Sequence, residues 1–301
     1  IKPLGLTQQK VGVAFNPQYL RDGFEMKYFP RGIAFADLPV PALADLPRAE
    51  VEAFSIDDDA TTEVDDALSL TDLAGGGKRV GIHIAAPALA IAPGSDMEKT
   101  IAERQSTVYF PGDKITMLPE NWIAAFSLDA GGYRPAVSIY FDVDADFNVS
   151  APGCKIEAVN IVENLRIQAI EPHFNAQSGL DAEGAALFAH HRDLIWFYQL
   201  AIARQKARGK YEPERAAQYD YSIELASDGL VSVARRERGS PIDTLVSEMM
   251  ILANSTWAEM LDQAGLPGLF RVQPAGKVRM STQSEPHIGM SVQHYGWFTS
   301  P

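Results

Sequence analysis

Six carboxylates are packed into the fifteen residues Ser55-Ile-Asp-Asp-Asp-Ala-Thr-Thr-Glu-Val-Asp-Asp-Ala-Leu-Ser69, with no lysine or arginine among them. Like charges this close repel, and each carboxylate held near a core loses hydration, so the crowding calls for a positive counter-charge. A hard divalent ion that prefers oxygen ligands, Mg²⁺ or Mn²⁺, meets that need. If Asp57 closes one strand and Asp65-Asp66 open the next, residues 58–64 form a loop that folds Asp57, Glu63, Asp65 and Asp66 toward one point. Two ions held there could activate a water and steady the leaving oxygen of a phosphodiester. Two plainer alternatives compete. One is a solvated acidic loop. The other is an EF-hand calcium loop, which lacks its glycine at the sixth place, where Thr62 stands, and its glutamate at the twelfth, where Leu68 stands.

The chain that must position these groups has 301 residues, 46% of them hydrophobic, enough for one large domain or two modest ones. It carries no apolar run long enough to cross a membrane and no leader pattern at Ile1, so a soluble, cytoplasmic protein without membrane association is expected. A single cysteine, Cys154, excludes an internal disulfide, and its place in a strand-like run predicts a small buried hydrophobe. The net charge of −13 argues against a surface that grips nucleic acid everywhere, though not against a local groove. Basic residues do cluster at Arg204, Lys206, Arg208 and Lys210, at Arg235, Arg236 and Arg238, and at Arg271, Lys277 and Arg279. Each cluster could line a phosphate track or simply finish a helix or a hairpin.

Residues 1–50, rich in proline, glycine and aromatics, read as an irregular lead-in or the remnant of an N-terminal domain, and 51–301 as one domain of catalytic size. Strand patterns cover 53–56, 67–70, 79–85, 136–143 and 155–162. Ser95 and Glu98 have capping-box spacing ahead of a helix. Helical periodicity runs over 182–208, stopped by Gly209; a hairpin over 219–225 and 230–234 turns at Ser227-Asp228-Gly229; a second long helix runs from Ser240-Pro241 to Ala264. The expected fold is α+β, a mainly antiparallel mixed sheet with long helices packed on it. Glu248 stands on an apolar stretch of the last helix and wants a partner, a structural arginine or backbone amide by default and a ligand otherwise.

Four stretches together resemble the catalytic (RNB) domain of the ribonuclease II family. They are the acidic run Ser55–Ser69; Val80-Gly-Ile-His-Ile-Ala-Ala-Pro87 leading to Val108-Tyr-Phe-Pro111 and Met117-Leu-Pro-Glu120; Glu248-Met-Met-Ile-Leu-Ala-Asn254; and Phe270-Arg-Val-Gln273 with Pro286-His-Ile-Gly289 and Trp297–Pro301. The resemblance implies a metal-dependent exoribonuclease that degrades single-stranded RNA from its 3′ end and releases nucleoside 5′-monophosphates. No obligate protein partner is implied. Asp57 and Asp66 would be ligands of the principal Mg²⁺ (or Mn²⁺), Asp65 the carboxylate most needed for hydrolysis, and Glu63 the remaining acidic position. Tyr109 would stack a base near the 3′ end, and Glu248 would accept a bond from a 2′-hydroxyl. His83 and His287 are expected to be structural.

Departures from the family pattern matter. Glu63 stands where aspartate is usual, displacing the carboxylate by about a bond length, an error of the size metal sites tolerate poorly. Ala86 stands where aspartate is common. Family members also continue past the Thr299-Ser300-Pro301 run with a basic segment whose arginine contacts the reacting phosphate and with an oligonucleotide-binding barrel, so the chain reads as a fragment. An RNA-binding protein of the same fold with weakened catalysis, or a different metal-dependent phosphoesterase, are the competing expectations.

Overall fold

The computed structural model describes residues 9–14, 17–29, 32–35, 38–42, 45–181, 183–213, 218–225, 230–272 and 296–299. The chain divides into two units, Ile1–Met249 and Met250–Pro301, and the division falls within a helix. The smaller unit holds the end of that helix and one antiparallel pair of strands, in which Leu269 lies opposite Thr299.

The lead-in is not irregular. It contains strand β1 (Gln9–Ala14) and helix α1 (Pro17–Tyr28). The framework follows as β2 (Arg48–Asp57), β3 (Asp66–Asp72), β4 (Lys78–Ala85), α2 (Asp96–Arg104), β5 (Val108–Phe110), β6 (Asp113–Ile115), α3 (Glu120–Phe126), β7 (Gly132–Val143) and β8 (Val149–Arg166). Strands β2, β3, β4, β7 and β8 close into a barrel. Four of its ladders are antiparallel, and β2 joins β8 in parallel, from Arg48 opposite Ala158 to Asp57 opposite Arg166.

Five strands leave a narrow interior, and small residues fill it. Ala53, Ala67, Ala85, Ala136, Val159 and Ile161, drawn from all five strands, pack as one cluster. On the same face of β4 lies His83, fully buried, its Nε2 2.9 Å from Ser69 Oγ and its Nδ1 2.8 Å from Ser138 Oγ. Burial drops its pKa to about 3, so the ring is neutral and serves as the barrel's polar cross-brace. Gly81 makes room for it: a Cβ there would stand 2.3 Å from Ser69 Oγ and 2.7 Å from His83 Nε2. Gly81→Val is therefore expected to cost about 1–3 kcal/mol by overpacking, read as a lowered denaturant midpoint with an unchanged slope.

The chain also forms helices α4 (Ile167–Ile170), α5 (His191–Ala207) and α6 (Pro241–Gln263), and a separate sheet in which β1 pairs with β10 (Leu230–Glu237) and β10 with β9 (Tyr219–Leu225). Phe54 of β2 stacks on His190 at 4.2 Å and meets Phe197 of α5 edge-on at 6.3 Å. That contact explains why α5 starts nine residues later than its periodicity predicts: His190 takes a left-handed turn (φ 59°) to reach Phe54, and the helix can begin only after it. The expected caps are present. Ser95 accepts from the Glu98 amide at 3.2 Å, and Ser240 from the Asp243 amide at 3.1 Å. The hairpin turn at 226–229 lies outside the described residues, as do His287, Lys277 and Arg279. Cys154 departs from expectation: it is exposed on β8, where it lies opposite Ile139 of β7.

Candidate active site

The acidic loop opens at the rim where β2 and β3 separate. Their ladder consists of the single pairing Phe54 with Leu68, so the strand ends carrying Asp57 and Asp66 are free of each other. Each end is fixed from its other side. Asp57 lies in register with Arg166 of β8, and the Asp65 carbonyl accepts from the Ala85 amide of β4 at 2.8 Å. The loop between them is pinned by Val64, fully buried, whose amide donates to Ser127 Oγ at 3.0 Å. Arg166 and Gln168 hold the outer turn: the Arg166 guanidinium donates to the Asp58 carbonyl at 2.9 Å, and the Gln168 amide to the Asp58 carboxylate at 3.0 Å.

Asp57 and Asp66 are half-buried and Asp65 is exposed, whereas Asp58 and Asp59 point into solvent. Ser55, buried beneath the rim, donates to Asp57 Oδ2 at 2.5 Å and is itself held by the Asn164 amide at 2.9 Å. Burial raises the pKa of Asp57, opposed by that hydrogen bond and by the Arg166 charge. Asp66 is pushed up to about 6, by burial first and then by the charges of Asp57 and Asp65. Asp65, though exposed, is hemmed in enough that lost hydration raises it, with the charges of Glu63 and Asp57 adding and Lys114 opposing. These three aspartates thus feel one another electrostatically, and the charges of Arg166 and Lys114 offset that only in part.

Glu63 behaves differently. Its Oε1 is 2.8 Å from the ammonium of Lys114, which also donates to Thr62 Oγ1, and its Oε2 accepts from Thr107 Oγ1 at 3.4 Å. Among the described residues, no three of His, Cys, Asp and Glu stand together in a ready-made metal cage. The donor set fits a hard cation by its chemistry, all oxygen and under-neutralised, while the four-carboxylate convergence expected from the spacing is incomplete.

The hairpin of β5 and β6 brings Tyr109 and Lys114 opposite each other beside the loop. Tyr109 is 69% exposed, so its ring is open to a stacking partner. Helix α1 anchors this hairpin through Phe24 stacked on Phe110 at 5.4 Å and an ion pair from Arg21 to Asp113. The supposed lead-in therefore positions the site. Glu248 lies on α6, buried, with Oε1 paired to Arg208, as its default reading anticipated. Its Oε2 is buried without a hydrogen-bond partner, and the residue borders a cavity of about 590 Å³ that Ile56, Lys210 and Arg238 also line.

The basic clusters are largely engaged within the protein. Arg236 grips Glu171 and Asp243 at 2.6 and 2.8 Å, Arg238 pairs with Asp220 at 2.7 Å, and Arg235 lies over Tyr219. Sequence reasoning passed over Lys114, Asn164 and Arg166 as parts of this site, and had Arg208 only as a member of a basic cluster. Only Lys114, a cation five residues from Tyr109 in a Pro-Gly turn, carried a local signal.

The sequence pattern of the RNB domain matches residues 48–283. The chain belongs to the RNB family. Exoribonuclease 2 of Vibrio parahaemolyticus is 31% identical to this RNB chain over 236 residues, 75% of the chain and 34% of that enzyme. The chain thus spans about a third of the length of this curated relative. Among solved structures, RNase R of Mycoplasma genitalium in complex with ribose-methylated single-stranded RNA superposes with a TM-score of 0.65 at 15% identity, over 88% of this chain and 40% of that one. Yeast Ssd1, described as a pseudonuclease, superposes with a TM-score of 0.59 at 17% identity, over 80% of this chain and 30% of its own. Both likenesses establish the mixed α+β RNB fold. Among the described residues, no helix is long and apolar enough to cross a membrane.

Proposed function

We propose that this RNB domain hydrolyses single-stranded RNA from the 3′ end, in the cytoplasm, and releases nucleoside 5′-monophosphates. The observation that carries the proposal is the trio Asp57, Asp65 and Asp66 at the barrel rim, each raised in pKa by burial and by its neighbours, in a chain of this family. A divalent cation, Mg²⁺ or Mn²⁺, held by these aspartates would supply Lewis-acid activation of a water and charge neutralisation at the phosphodiester. The protein's own part is positional. Ser55 and Asn164 orient Asp57, the β3–β4 ladder fixes the backbone of Asp65, and Tyr109 offers a face to the terminal base. The orphan Oε2 of Glu248, while Arg208 holds Oε1, is an acceptor suited to a ribose 2′-hydroxyl, which DNA lacks.

The test is the complete protein with 5′-labelled single-stranded RNA and Mg²⁺. Stepwise shortening with 5′-mononucleotides as product, stopped by chelator, is the expected result; intact RNA sinks the proposal. Tyr109→Ala should weaken RNA binding in chelator by about 1–3 kcal/mol, roughly 5- to 150-fold, measured by fluorescence anisotropy. A second reading, RNA binding with weak turnover, is favoured by one observation: Glu63 is bound to Lys114. It predicts salt-dependent RNA binding with no product.

A further inference from the structure

Resting on the metal-dependent reading above, we propose that Lys114 is a built-in cation of the acidic site, holding Glu63 to itself so that the site takes one divalent ion and not two. The geometry makes this a specific engagement. The Lys114 ammonium is 2.8 Å from Glu63 Oε1, and a second of its protons goes to Thr62 Oγ1. The other oxygen of Glu63 is taken by Thr107, so both ends of the pair are committed. The side chains are 26% and 18% exposed, which shields the pair from the solvent competition that makes open surface ion pairs weak.

Position matters as much as contact. Lys114 stands on β6, opposite Tyr109 in the hairpin that α1 braces, and it is the positive charge that acts on Asp65. It therefore sits among the carboxylates and not on an outer face of the loop. A carboxylate oxygen that accepts from an ammonium has given up one of its two lone-pair directions, and the ammonium beside it repels a second cation. With Glu63 withdrawn, Asp57, Asp65 and Asp66 remain. They do not stand as a ready-made cage; drawn together they would suffice for one Mg²⁺ or Mn²⁺, ions that keep several waters, and would be sparse for two ions a few ångströms apart. A lysine in place of a second ion also keeps its charge at any chelator concentration, which an exchangeable ion does not.

The experiment counts ions. Bound Mn²⁺ per chain is measured at pH 7.5 by electron paramagnetic resonance of the free ion, for the wild-type protein, Lys114→Met and Lys114→Arg. One ion is expected for the wild type and for Lys114→Arg, and two for Lys114→Met, the second at least tenfold tighter than any weak second binding in the wild type. Two ions in the wild type overturn the inference, and so does a single ion in a Lys114→Met protein whose melting temperature shows it folded. Lys114→Gln gives the same comparison if the methionine variant does not fold. No ion in the wild type overturns the metal reading itself, an outcome distinct from both.

Discussion

Asp65→Asn is expected to lower the rate of RNA hydrolysis by a factor on the order of 10³ or more while leaving RNA binding within a few fold. The change keeps shape and removes one negative charge and one acceptor. It cannot disturb the strand, because Asp65 is held there through its carbonyl, which accepts from Ala85 at 2.8 Å, and not through its side chain. Stability should move the opposite way from activity. Asp65 sits under the repulsion of Glu63 and Asp57, so neutralising it relieves strain in the metal-free protein and should raise its melting temperature slightly. A merely structural carboxylate would show the reverse pairing, a lower melting temperature with turnover preserved. Asp59→Asn is the internal control: that side chain is exposed, and only its backbone amide is engaged, with Gln168 at 3.0 Å, so turnover should be unchanged. Product formation by Asp65→Asn at the wild-type rate would end the catalytic assignment.

The second large effect is a metal-induced rise in melting temperature that vanishes in acid. Metal and protons compete for the same carboxylates, and Asp66, at about 6, is the one that fails first as pH falls. Below that value apparent affinity should drop about tenfold per pH unit, which is ~1.4 kcal/mol of lost stabilisation and a few degrees in melting temperature at fixed Mn²⁺. The shift should be full near pH 7.5 and small at pH 5. For the metal-free protein the sign is opposite. A carboxylate raised from 3.8 to about 6 contributes stability that is whole below about 4 and lost as pH rises through 6. In chelator at neutral pH, Asp66→Asn should therefore be more stable than wild type by roughly 1–3 kcal/mol, allowing for solvent screening. Absolute melting curves mask this. His83, lowered from 6.5 to about 3, contributes stability that is present above 6.5 and lost on acidification. The metal-induced difference, and the difference between Asp66→Asn and wild type, cancel that contribution at each pH. A metal shift that is equal at pH 5 and 7.5 would exclude these aspartates as its source.

What could be read from residues alone was what period and capping encode. The five strand runs, the caps at Ser95 and Ser240 and the stops at Gly209 and Gly265 all rest on local chemistry, and all reappear. Barrel closure did not show, because β2 and β8 are joined by a parallel ladder between segments about a hundred residues apart, and no local pattern records a partner. The helix in the first fifty residues went unread for a related reason. Its first turn carries no acidic residue to mark a start, and it is held by Phe110 and Asp113 of a distant hairpin. In the site, residue types pointed to the aspartates, and the default partner for Glu248 was an arginine, as found. The pull of Lys114 on Glu63 depends on a hairpin folding over the loop, a tertiary event that spacing within 57–66 cannot express.

Parallel closure has a consequence for biosynthesis. Asp57 is set in place by a strand whose last residue, Arg166, is translated more than a hundred codons later. Until that stretch has left the ribosome, Asp57 and Asp66 belong to an unsealed hairpin layer, and bringing the distant segment home must overcome the entropy of a long intervening loop. Nascent chains shorter than β8 therefore lack the register that positions Asp57.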